Sequence, residues 1–319
     1  MSETELDDLV RQAVFGQQAE KNQAHLQIRK LAHQAGIYPA SIHNLYQARA
    51  EEAVSLDWTA PAINIRCMTH DLAHLIFRVA DKLEAGPVIF EIARSEIDYT
   101  RQSPQEFSSA ILSAAIRAGR PGPVFIQGDH FQLKTAHELE TIKDLVREAI
   151  EAGFYNIDID ASTLVDYEKE SIADQQELNY KMTAILTNYI RSIEQEGITV
   201  SVGGEIGHIG GRNSTAEELT AFMDNYQQLL DPGVVGLSKI SIQTGTHHGG
   251  VVLADGSLAE VAVDFGVLKE LSKIGRKYGL GGTVQHGAST LPAGYFRQFP
   301  ASEAIEIHLA TGFQNIILD

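Results

Sequence analysis

Residues 123–130, Pro-Val-Phe-Ile-Gln-Gly-Asp-His, decide the fold, because they join an apolar run to a glycine, an aspartate and a histidine. The apolar run predicts a β-strand, and a helical pattern follows over residues 136–152 and ends at Gly153. The next apolar run starts at Asn156, so that strand, helix and strand form a βαβ unit. The strands of such a unit lie parallel with the helix packed against them, which predicts an α/β fold.

The same alternation continues along most of the chain. Apolar runs predict eight strands, over residues 61–66, 87–92, 123–127, 156–159, 199–202, 238–243, 283–285 and 315–318. Helical patterns predict the helices between them, over residues 71–84, 104–118, 136–152, 177–196, 216–230, 265–278 and 301–309. Eight strands alternating with helices are typical of a (β/α)8 TIM barrel. We favour the barrel over a doubly wound open sheet because strand count, chain length and strand-end chemistry agree.

Two parts of the chain differ in pattern. Residues 58–319 are predicted to form the catalytic barrel, and the polar, helical residues 1–57 an N-terminal extension without a site motif. Because the eighth predicted strand ends the chain, the final outer helix of the barrel is expected to be absent. Either the N-terminal helices or a partner subunit would cover that position, or the chain is truncated.

Composition excludes several classes of protein. The net charge is −17, whereas non-specific nucleic-acid binding needs a basic surface. No run of about 18 uncharged apolar residues occurs, so no membrane span is expected. Cys67 is the only cysteine, which excludes an internal disulfide and fits a reducing cytoplasm. The acidic, polar start of the chain differs from a signal peptide, which supports the same location.

Three histidines follow predicted strands at their C-terminal ends, where a TIM barrel places its active site. His130, His248 and His286 come after the third, sixth and seventh predicted strands. Three imidazoles with an open coordination position suit a catalytic zinc, although each histidine alone could equally be a hydrogen-bonded loop residue. His247 precedes His248 and points the opposite way on an extended segment, so one of the pair is expected to bind.

Two carboxylates accompany these histidines. Asp129 directly precedes His130, and a carboxylate beside a metal-bound oxygen can move a proton to or from a substrate hydroxyl. The alternative is a turn or capping aspartate. Glu205 ends the fifth predicted strand and is either a further metal ligand or a residue that orients one. A solvated loop carboxylate is the alternative for Glu205.

Glycine-rich loops follow two of the candidate ligands. Gly249 and the segment from Gly287 to Ser289 could expose backbone N–H groups to an anion, and barrel enzymes often bind phosphate after the seventh and eighth strands. Plain turn glycines are the alternative. The loop from Gly203 to Gly211 is expected to cover the site, and it lacks the fingerprints of nucleotide-binding motifs.

Five motifs in order resemble the class II, metal-dependent ketose-bisphosphate aldolases, which include fructose- and tagatose-bisphosphate aldolases. They are GDH at 128–130, GGEIGHIGG at 203–211, GTHHG at 245–249, HGAST at 286–290 and NIILD at 315–319. The resemblance covers residues 61–319 and implies a cytoplasmic TIM-barrel lyase of carbohydrate metabolism, such as glycolysis, that forms a homodimer or homotetramer. It also implies a catalytic Zn²⁺, or another divalent metal, with a monovalent cation near the substrate phosphate.

The resemblance assigns a role to each candidate residue. His130, His248 and His286 would bind the zinc, with Glu205 at an alternative or buried metal position, and Asp129 would move the proton of the C4 hydroxyl. Contacts to a substrate phosphate would come from Gly249, Gly287 and Ser289. Asn315 would contact the dihydroxyacetone portion, and Asn64 matches an asparagine of the first strand.

Three departures from the family pattern bear on function. Asn213 stands where the family has a loop glutamate that moves the proton at the nucleophilic carbon, and an amide cannot act as a base. Glu217 or Glu218 would substitute only if the loop folds differently. Ile317 and Leu318 replace a polar pair that contacts phosphate. The third departure is the missing terminal helix.

The leading hypothesis is a zinc-dependent lyase that reversibly cleaves a ketose (bis)phosphate into dihydroxyacetone phosphate and an aldehyde such as glyceraldehyde 3-phosphate. One alternative is a ketose-phosphate epimerase using retro-aldol and aldol steps, which would need no loop glutamate. The other is a non-catalytic aldolase-like subunit. Sugar stereochemistry, the number of phosphates and the oligomeric state are left open by the residues.

Overall fold

The computed structural model describes residues 3–207, 212–245 and 263–318 of the chain. The described strands are β1 Ile37–Ala40, β2 Ala60–Asn64, β3 Ile89–Ala93, β4 Gly122–Gln132, β5 Asn156–Asp160, β6 Ser201–Glu205, β7 Lys239–Ile242, β8 Thr283–Gln285 and β9 Glu306–Leu309. The described helices are α1 Glu3–Phe15, α2 Gln18–Gln34, α3 His43–Ala50, α4 Thr69–Lys82, α5 Arg94–Thr100, α6 Pro104–Ala118, α7 Leu139–Ala152, α8 Ile172–Gln175, α9 Glu177–Ile193, α10 Ala216–Gln228, α11 Phe265–Lys277, α12 Gln298–Ala301 and α13 Thr311–Leu318.

Strands β2 to β9 form a closed barrel of eight parallel strands with helices around it. The hydrogen-bonded order runs β4-β3-β2-β9-β8-β7-β6-β5, and pairing of β4 with β5 closes the ring. The predicted TIM barrel is therefore confirmed. None of the helices in the described ranges combines the length and apolarity needed to cross a bilayer.

The outer helices begin and end where the sequence provides capping residues. Ser103 accepts a hydrogen bond from the backbone N–H of Glu106 at the start of α6, and Pro104 follows at the first helical position. Helix α7 ends at Gly153, whose φ of 96° lies in the left-handed region that favours glycine. These local signals explain why helix positions between the strands could be predicted.

The N-terminal extension contains a strand as well as helices. Strand β1 pairs in parallel with the first residues of β4, from Ile37 opposite Gly122 to Ala40 opposite Phe125. Helix α3 closes the N-terminal end of the barrel, where Tyr46 is fully buried and donates to Glu306 Oε2 at 2.5 Å. The extension thus completes the floor of the barrel interior.

The eighth predicted strand, over residues 315–318, is wrong, as is the helix predicted over residues 301–309. The last strand is β9, Glu306–Leu309, and residues 311–318 form helix α13. The alternation of Glu306, Ile307, His308 and Leu309 places polar side chains in the barrel interior, whereas a helix was predicted for these residues. Ile316 and Leu318 are 69% and 70% exposed, so the terminal apolar run is not a buried strand.

The absence of a final outer helix remains a prediction. Helix α13, of eight residues, follows β9 directly in the chain, and none of its described side chains is buried. It packs beside the short turn at Ala288–Thr290, where the N–H of Gly312 donates to Ser289 Oγ at 3.1 Å. The C-terminal helix therefore borders the loop after β8.

Candidate active site

A cavity of about 610 Å³ opens at the C-terminal ends of the barrel strands. It brings together seven of the predicted site residues: Asn64, Asp129, His130, Glu205, His286, Gly287 and Ser289. His248 and Gly249, the other predicted metal and phosphate contacts in the chain's middle loop, lie outside the described residues, as do residues 208–211 of the covering loop. The cavity thus gathers side chains from distant parts of the chain, as strand ends of a barrel do.

An irregularity in β4 allows two adjacent residues to face this cavity. The pairing of β4 with β5 shifts register between Gly128 and Phe131, and His130 has a left-handed φ of 40°. A Cβ at Gly128 would lie 2.4 Å from the Phe131 ring, so the bulge requires glycine there. The bulge turns both Asp129 and His130 toward the cavity, against the usual alternation of a strand.

His130 lies against two buried carboxylates. Its Nδ1 is 3.2 Å from Asp160 Oδ2 and 3.2 Å from Glu205 Oε2, and the three residues have ligand atoms within 4.8 Å of one another. Although burial opposes the charged imidazole, Asp129 and Glu205 raise the pKa of His130 well above its ordinary value. Burial, with the charge of Asp160, raises the pKa of Glu205 to about 7.

His286 completes a second group of ligand atoms beside His130. Their ring centroids are 4.2 Å apart, and His286 Nε2 lies 3.0 Å from Ser241 Oγ. Ligand atoms of Asp129, His130 and His286 all lie within 4.8 Å of one another. Two imidazoles and a carboxylate at this spacing form a donor set that suits a divalent metal.

His308 is a site residue that sequence reasoning missed. It projects from β9 into the barrel, with Nδ1 3.1 Å from Glu91 Oε2 and 3.2 Å from Asp129 Oδ1. Its Nε2 lies 2.8 Å from Glu306 Oε1, and its ring centroid is 4.1 Å from that of His286. The period-two alternation of residues 306–309 was the signal that could have placed it on a strand.

A buried lysine lies beneath His308. Lys239 Nζ is 3.0 Å from Asp158 Oδ1, 2.5 Å from Glu306 Oε1 and 2.7 Å from Gln127 Oε1. Burial disfavours its charge, but Asp158 and Glu306 raise the pKa of Lys239 above its ordinary value. The floor of the cavity is therefore a polar network instead of the apolar layers common in this fold.

Asn64 on β2 and the turn that carries Ser289 after β8 line the cavity on either side of β9. Asn64 Nδ2 donates to Glu96 Oε2 at 2.6 Å, and Arg66 Nε lies 2.7 Å from Glu96 Oε1. Gly287, with a φ of 70°, starts the turn that carries Ser289. Glu96 thus holds the Arg66 guanidinium at the cavity wall. The turn at Gly287 brings the Ser289 side chain to the same cavity.

Asn315 does not line the cavity. It is exposed on helix α13, because the segment predicted as the last strand is that helix. The strand-end position expected for it is held by His308 on β9. Its predicted contact with a substrate therefore has no support in the structure.

The loop residues considered as alternative bases are also placed. Asn213 does not line the cavity, and Glu217 is exposed. Glu218 is buried and accepts from the backbone N–H of Thr215 at 2.9 Å and from Arg212 at 2.6 Å. Glu218 thus caps helix α10. Because its carboxylate is already hydrogen-bonded in this cap, it is not positioned as a substitute base.

Comparison with known proteins gives a match over most of the chain. The model of a family described as fructose-bisphosphate aldolase class-II matches residues 45–319. That range begins within α3 and contains all the predicted site residues. No curated protein shows a significant match to the chain.

Solved structures share the architecture at low sequence identity. Fructose-bisphosphate aldolase (Fba) from Campylobacter jejuni matches with a TM-score of 0.59 and 18% identity, over 89% of this chain and 79% of that one. The glycerol complex of fructuronate-tagaturonate epimerase UxaE from Cohnella laeviribosi matches with a TM-score of 0.62 and 10% identity, over 91% of this chain and 61% of that one. At such identities the likeness concerns the fold.

Proposed function

The chain belongs to the class-II fructose-bisphosphate aldolase family, and we propose that it is a metal-dependent lyase acting on a ketose (bis)phosphate. The reversible reaction would yield dihydroxyacetone phosphate and an aldehyde such as glyceraldehyde 3-phosphate. The observation that carries this proposal is the convergence of Asp129, His130 and His286 on one cavity. An acid–base carboxylate beside a metal-binding pair is what aldol cleavage requires.

The residues present fit a divalent cation such as Zn²⁺. His130 and His286 would bind it, with His248 as the predicted third ligand and Glu205 as a neighbouring carboxylate. Ligand atoms of Asp129, His130 and His286 lie within 4.8 Å of one another, which is the spacing expected of donors around one cation. When bound, the cation supplies a Lewis acid that polarises a substrate carbonyl.

Asp129 would take the proton of the C4 hydroxyl in cleavage and return it in condensation. Burial alone would raise the pKa of Asp129, but His130 and His308 hold it well below its ordinary value. The carboxylate is therefore ionised at neutral pH in the metal-free protein, and a cation held by His130 and His286 would replace the charged imidazoles as its positive neighbour. The bulge in β4 fixes its direction beside His130.

Two features of the cavity suit a phosphorylated substrate. The turn from Gly287 to Ser289 would bind a phosphate through backbone N–H groups and the Ser289 hydroxyl, with a monovalent cation nearby. Arg66 also lines the cavity, where its charge is shared with Glu96 and its Nη1 donates to Gln314 on α13, the helix beside Ser289. These neighbouring positions would bind one anionic group of the substrate. A homodimer or homotetramer remains our prediction for the assembly.

A ketose-phosphate epimerase is the second candidate, and Asn213 favours it. Cleavage, rotation of the retained aldehyde and re-addition would use Asp129 without a proton carrier at the nucleophilic carbon. Glu218, the nearest alternative carrier, is committed to the cap of α10. The second candidate therefore differs from the first in the fate of the aldehyde, which is retained instead of released.

Product analysis distinguishes the candidates. Zinc-loaded protein is incubated with ketose mono- and bisphosphates of several configurations, and the products are identified by NMR. Free triose products support the lyase, and an epimeric ketose without triose supports the epimerase. Absence of both, together with no retained metal, would favour the non-catalytic subunit and contradict the proposal.

A further inference from the structure

A second group of ligand atoms lies deeper in the barrel than His130 and His286. It consists of Glu91 on β3, Asp129 on β4 and His308 on β9, whose ligand atoms lie within 4.8 Å of one another. All three side chains are buried, with 0%, 5% and 3% exposure respectively. No feature of the class-II aldolase resemblance assigns a role to Glu91 or His308.

The atoms of this group are close together, with one imidazole nitrogen against two carboxylates. His308 Nδ1 lies 3.1 Å from Glu91 Oε2 and 3.2 Å from Asp129 Oδ1. Within the described residues, His308 Nδ1, Asp129 Oδ1 and Glu91 Oε1 all lack a hydrogen-bond partner. In the metal-free protein the charged His308 imidazole pairs with both carboxylates, and a cation replacing the Nδ1 proton would provide a bond to each of the three atoms that lack a hydrogen bond.

The separations also fit the ligands of a cation. Two donor atoms at about 2.0–2.1 Å from a tetrahedral zinc are separated by roughly 3.3 Å. The measured separations of 3.1 and 3.2 Å are close to that value. A nitrogen and two oxygens in this arrangement suit Zn²⁺ or Mn²⁺.

The surrounding contacts are those of oriented metal ligands. His308 Nε2 lies 2.8 Å from Glu306 Oε1, which would hold the ring with Nδ1 turned toward the other two residues. Gln127 Nε2 donates to Glu91 Oε2 at 2.9 Å, and Lys239 supports Glu306. A histidine that binds a metal commonly donates its other N–H to a carboxylate in this way.

The charge of the barrel interior favours a second cation. Among the described residues, Lys239 is the one buried lysine. The barrel strands carry six buried carboxylates, which are Glu91, Asp129, Asp158, Asp160, Glu205 and Glu306. One divalent cation at His130 and His286, with Lys239 and a charged His308, would still not match six ionised carboxylates. Protons on Glu91 and Glu205, whose pKa values are about 7, hold part of that excess. A second divalent cation reduces that excess.

We propose that Glu91, Asp129 and His308 form a second divalent-cation site, which shares Asp129 with the site of His130 and His286. The shared carboxylate would separate the two cations by about 3.5–4 Å, as in two-metal enzymes. Asp129 Oδ1 lies 3.2 Å from His308 Nδ1 and 3.9 Å from His130 Nε2, between the two groups. The second site stands on its own geometry and does not depend on aldol cleavage.

Metal stoichiometry tests the proposal. The metal-stripped protein is saturated with Zn²⁺, freed of excess metal by gel filtration and analysed for zinc per chain by mass spectrometry. We expect two zinc ions in the wild type and one each in Glu91→Gln, His308→Asn and His286→Ala. Glu96→Gln is the matched control, since Glu96 is a buried carboxylate of the same cavity outside the group, and it should retain two.

The outcomes separate this proposal from the proposed function. A single zinc that is lost in His286→Ala but retained in Glu91→Gln overturns the second site and leaves the catalytic metal in place. A single zinc lost in Glu91→Gln but retained in His286→Ala supports the second site and contradicts the metal assignment of the proposed function. Circular dichroism of each variant shows whether its loss of metal reflects misfolding.

Mn²⁺ provides a readout that does not depend on counting ions. Two Mn²⁺ ions that share Asp129 should give an exchange-coupled electron paramagnetic resonance spectrum. His308→Asn should convert it to the six-line spectrum of an isolated Mn²⁺ ion. An isolated-ion spectrum in the saturated wild type would overturn the proposal.

Discussion

Asp129 lies between the two groups of ligand atoms, which makes it the residue on which the chemistry depends most. Its Oδ1 is 3.9 Å from His130 Nε2 and 3.2 Å from His308 Nδ1. The neighbouring imidazoles keep it ionised in a buried position, where an isolated carboxylate would be protonated. A base that is both buried and ionised is directed at the substrate without competition from water.

Replacing Asp129 with Asn should lower turnover by about 10²–10⁴-fold, because an amide cannot accept the hydroxyl proton. The measurement is kcat on the best substrate of the ketose phosphate panel, with the protein saturated in Zn²⁺. Asp98→Asn is the control, because Asp98 is an exposed carboxylate at the same cavity. Full activity in Asp129→Asn would remove Asp129 from the role of base.

Sequence reasoning predicted that Asp129, His130 and His286 would converge, because each follows an apolar run that ends at one face of the barrel, and the structure places all three at one cavity. It missed His308 and Glu91, which lie on strands at interior positions. Polar residues in alternation resemble the exposed face of a helix as much as a polar barrel interior, so His308 was assigned to a helix. The interior charge of this barrel is a tertiary property that no local pattern encodes.

At the scale of elements, the bulge of β4 determines the site. Strand β4 is eleven residues long, and its first residues pair with β1 while its later residues pair with β5 across the register shift. The bulge directs Asp129 and His130 into one cavity. Without it, the alternation of the strand would turn one of them outward.

Gly128→Ala should destabilise the fold by about 1–3 kcal/mol, because the new Cβ would lie 2.4 Å from the Phe131 ring. Urea denaturation measures the free energy of unfolding. Gly86→Ala is the matched control, since a Cβ at Gly86 meets no atom within 4 Å, and it should stay within about 0.5 kcal/mol of wild type. Equal stability of the two variants would show that the bulge tolerates a side chain.

Helix α3 is a second element whose role could not be predicted from the sequence. Tyr46→Phe should lower the free energy of unfolding by about 1–3 kcal/mol, because it leaves Glu306 Oε2 buried without this partner. Tyr38→Phe, at a side chain that is 50% exposed, is the control. An unchanged unfolding midpoint in Tyr46→Phe would show that the floor contact is dispensable.

At the scale of the whole molecule, the first seven predicted strands overlap observed strands, because their apolar runs, caps and turn glycines are local signals. The eighth predicted strand overlaps no observed strand. It was placed at residues 315–318 because the run Ile316–Leu318 is more apolar than the buried strand Glu306–Leu309. The strand in the N-terminal extension was also missed. It gains its stability from pairing with β4, which is distant in sequence.

The buried charges predict how the stability of the metal-free protein depends on pH. Burial raises the pKa of Glu91 and of Glu205 to about 7 and that of Asp158 to about 6. The folded protein therefore retains protons that the unfolded chain loses near pH 4, so the free energy of unfolding should fall as pH rises from about 5 to 8. The raised pKa values of His130 and His308 act in the same direction.

Urea denaturation of chelator-treated protein at several pH values between 5 and 8 measures this slope. Added Zn²⁺ binds deprotonated ligands, so it should stabilise the protein more at pH 8 than at pH 6. A metal-free stability that rises across this range would contradict the assignment of excess carboxylates to the barrel interior.

In the proposed function, His130 and His286 hold a metal with which Asp129 cleaves a ketose phosphate. The most direct measurement is release of triose phosphate from the ketose phosphate panel by three samples: zinc-loaded protein, chelator-treated protein and zinc-treated His286→Ala. We expect dihydroxyacetone phosphate and an aldehyde from the first sample alone, with activity restored to the second by Zn²⁺. Triose release that persists after chelation and in His286→Ala would contradict the claim, and so would an epimeric ketose as the sole product.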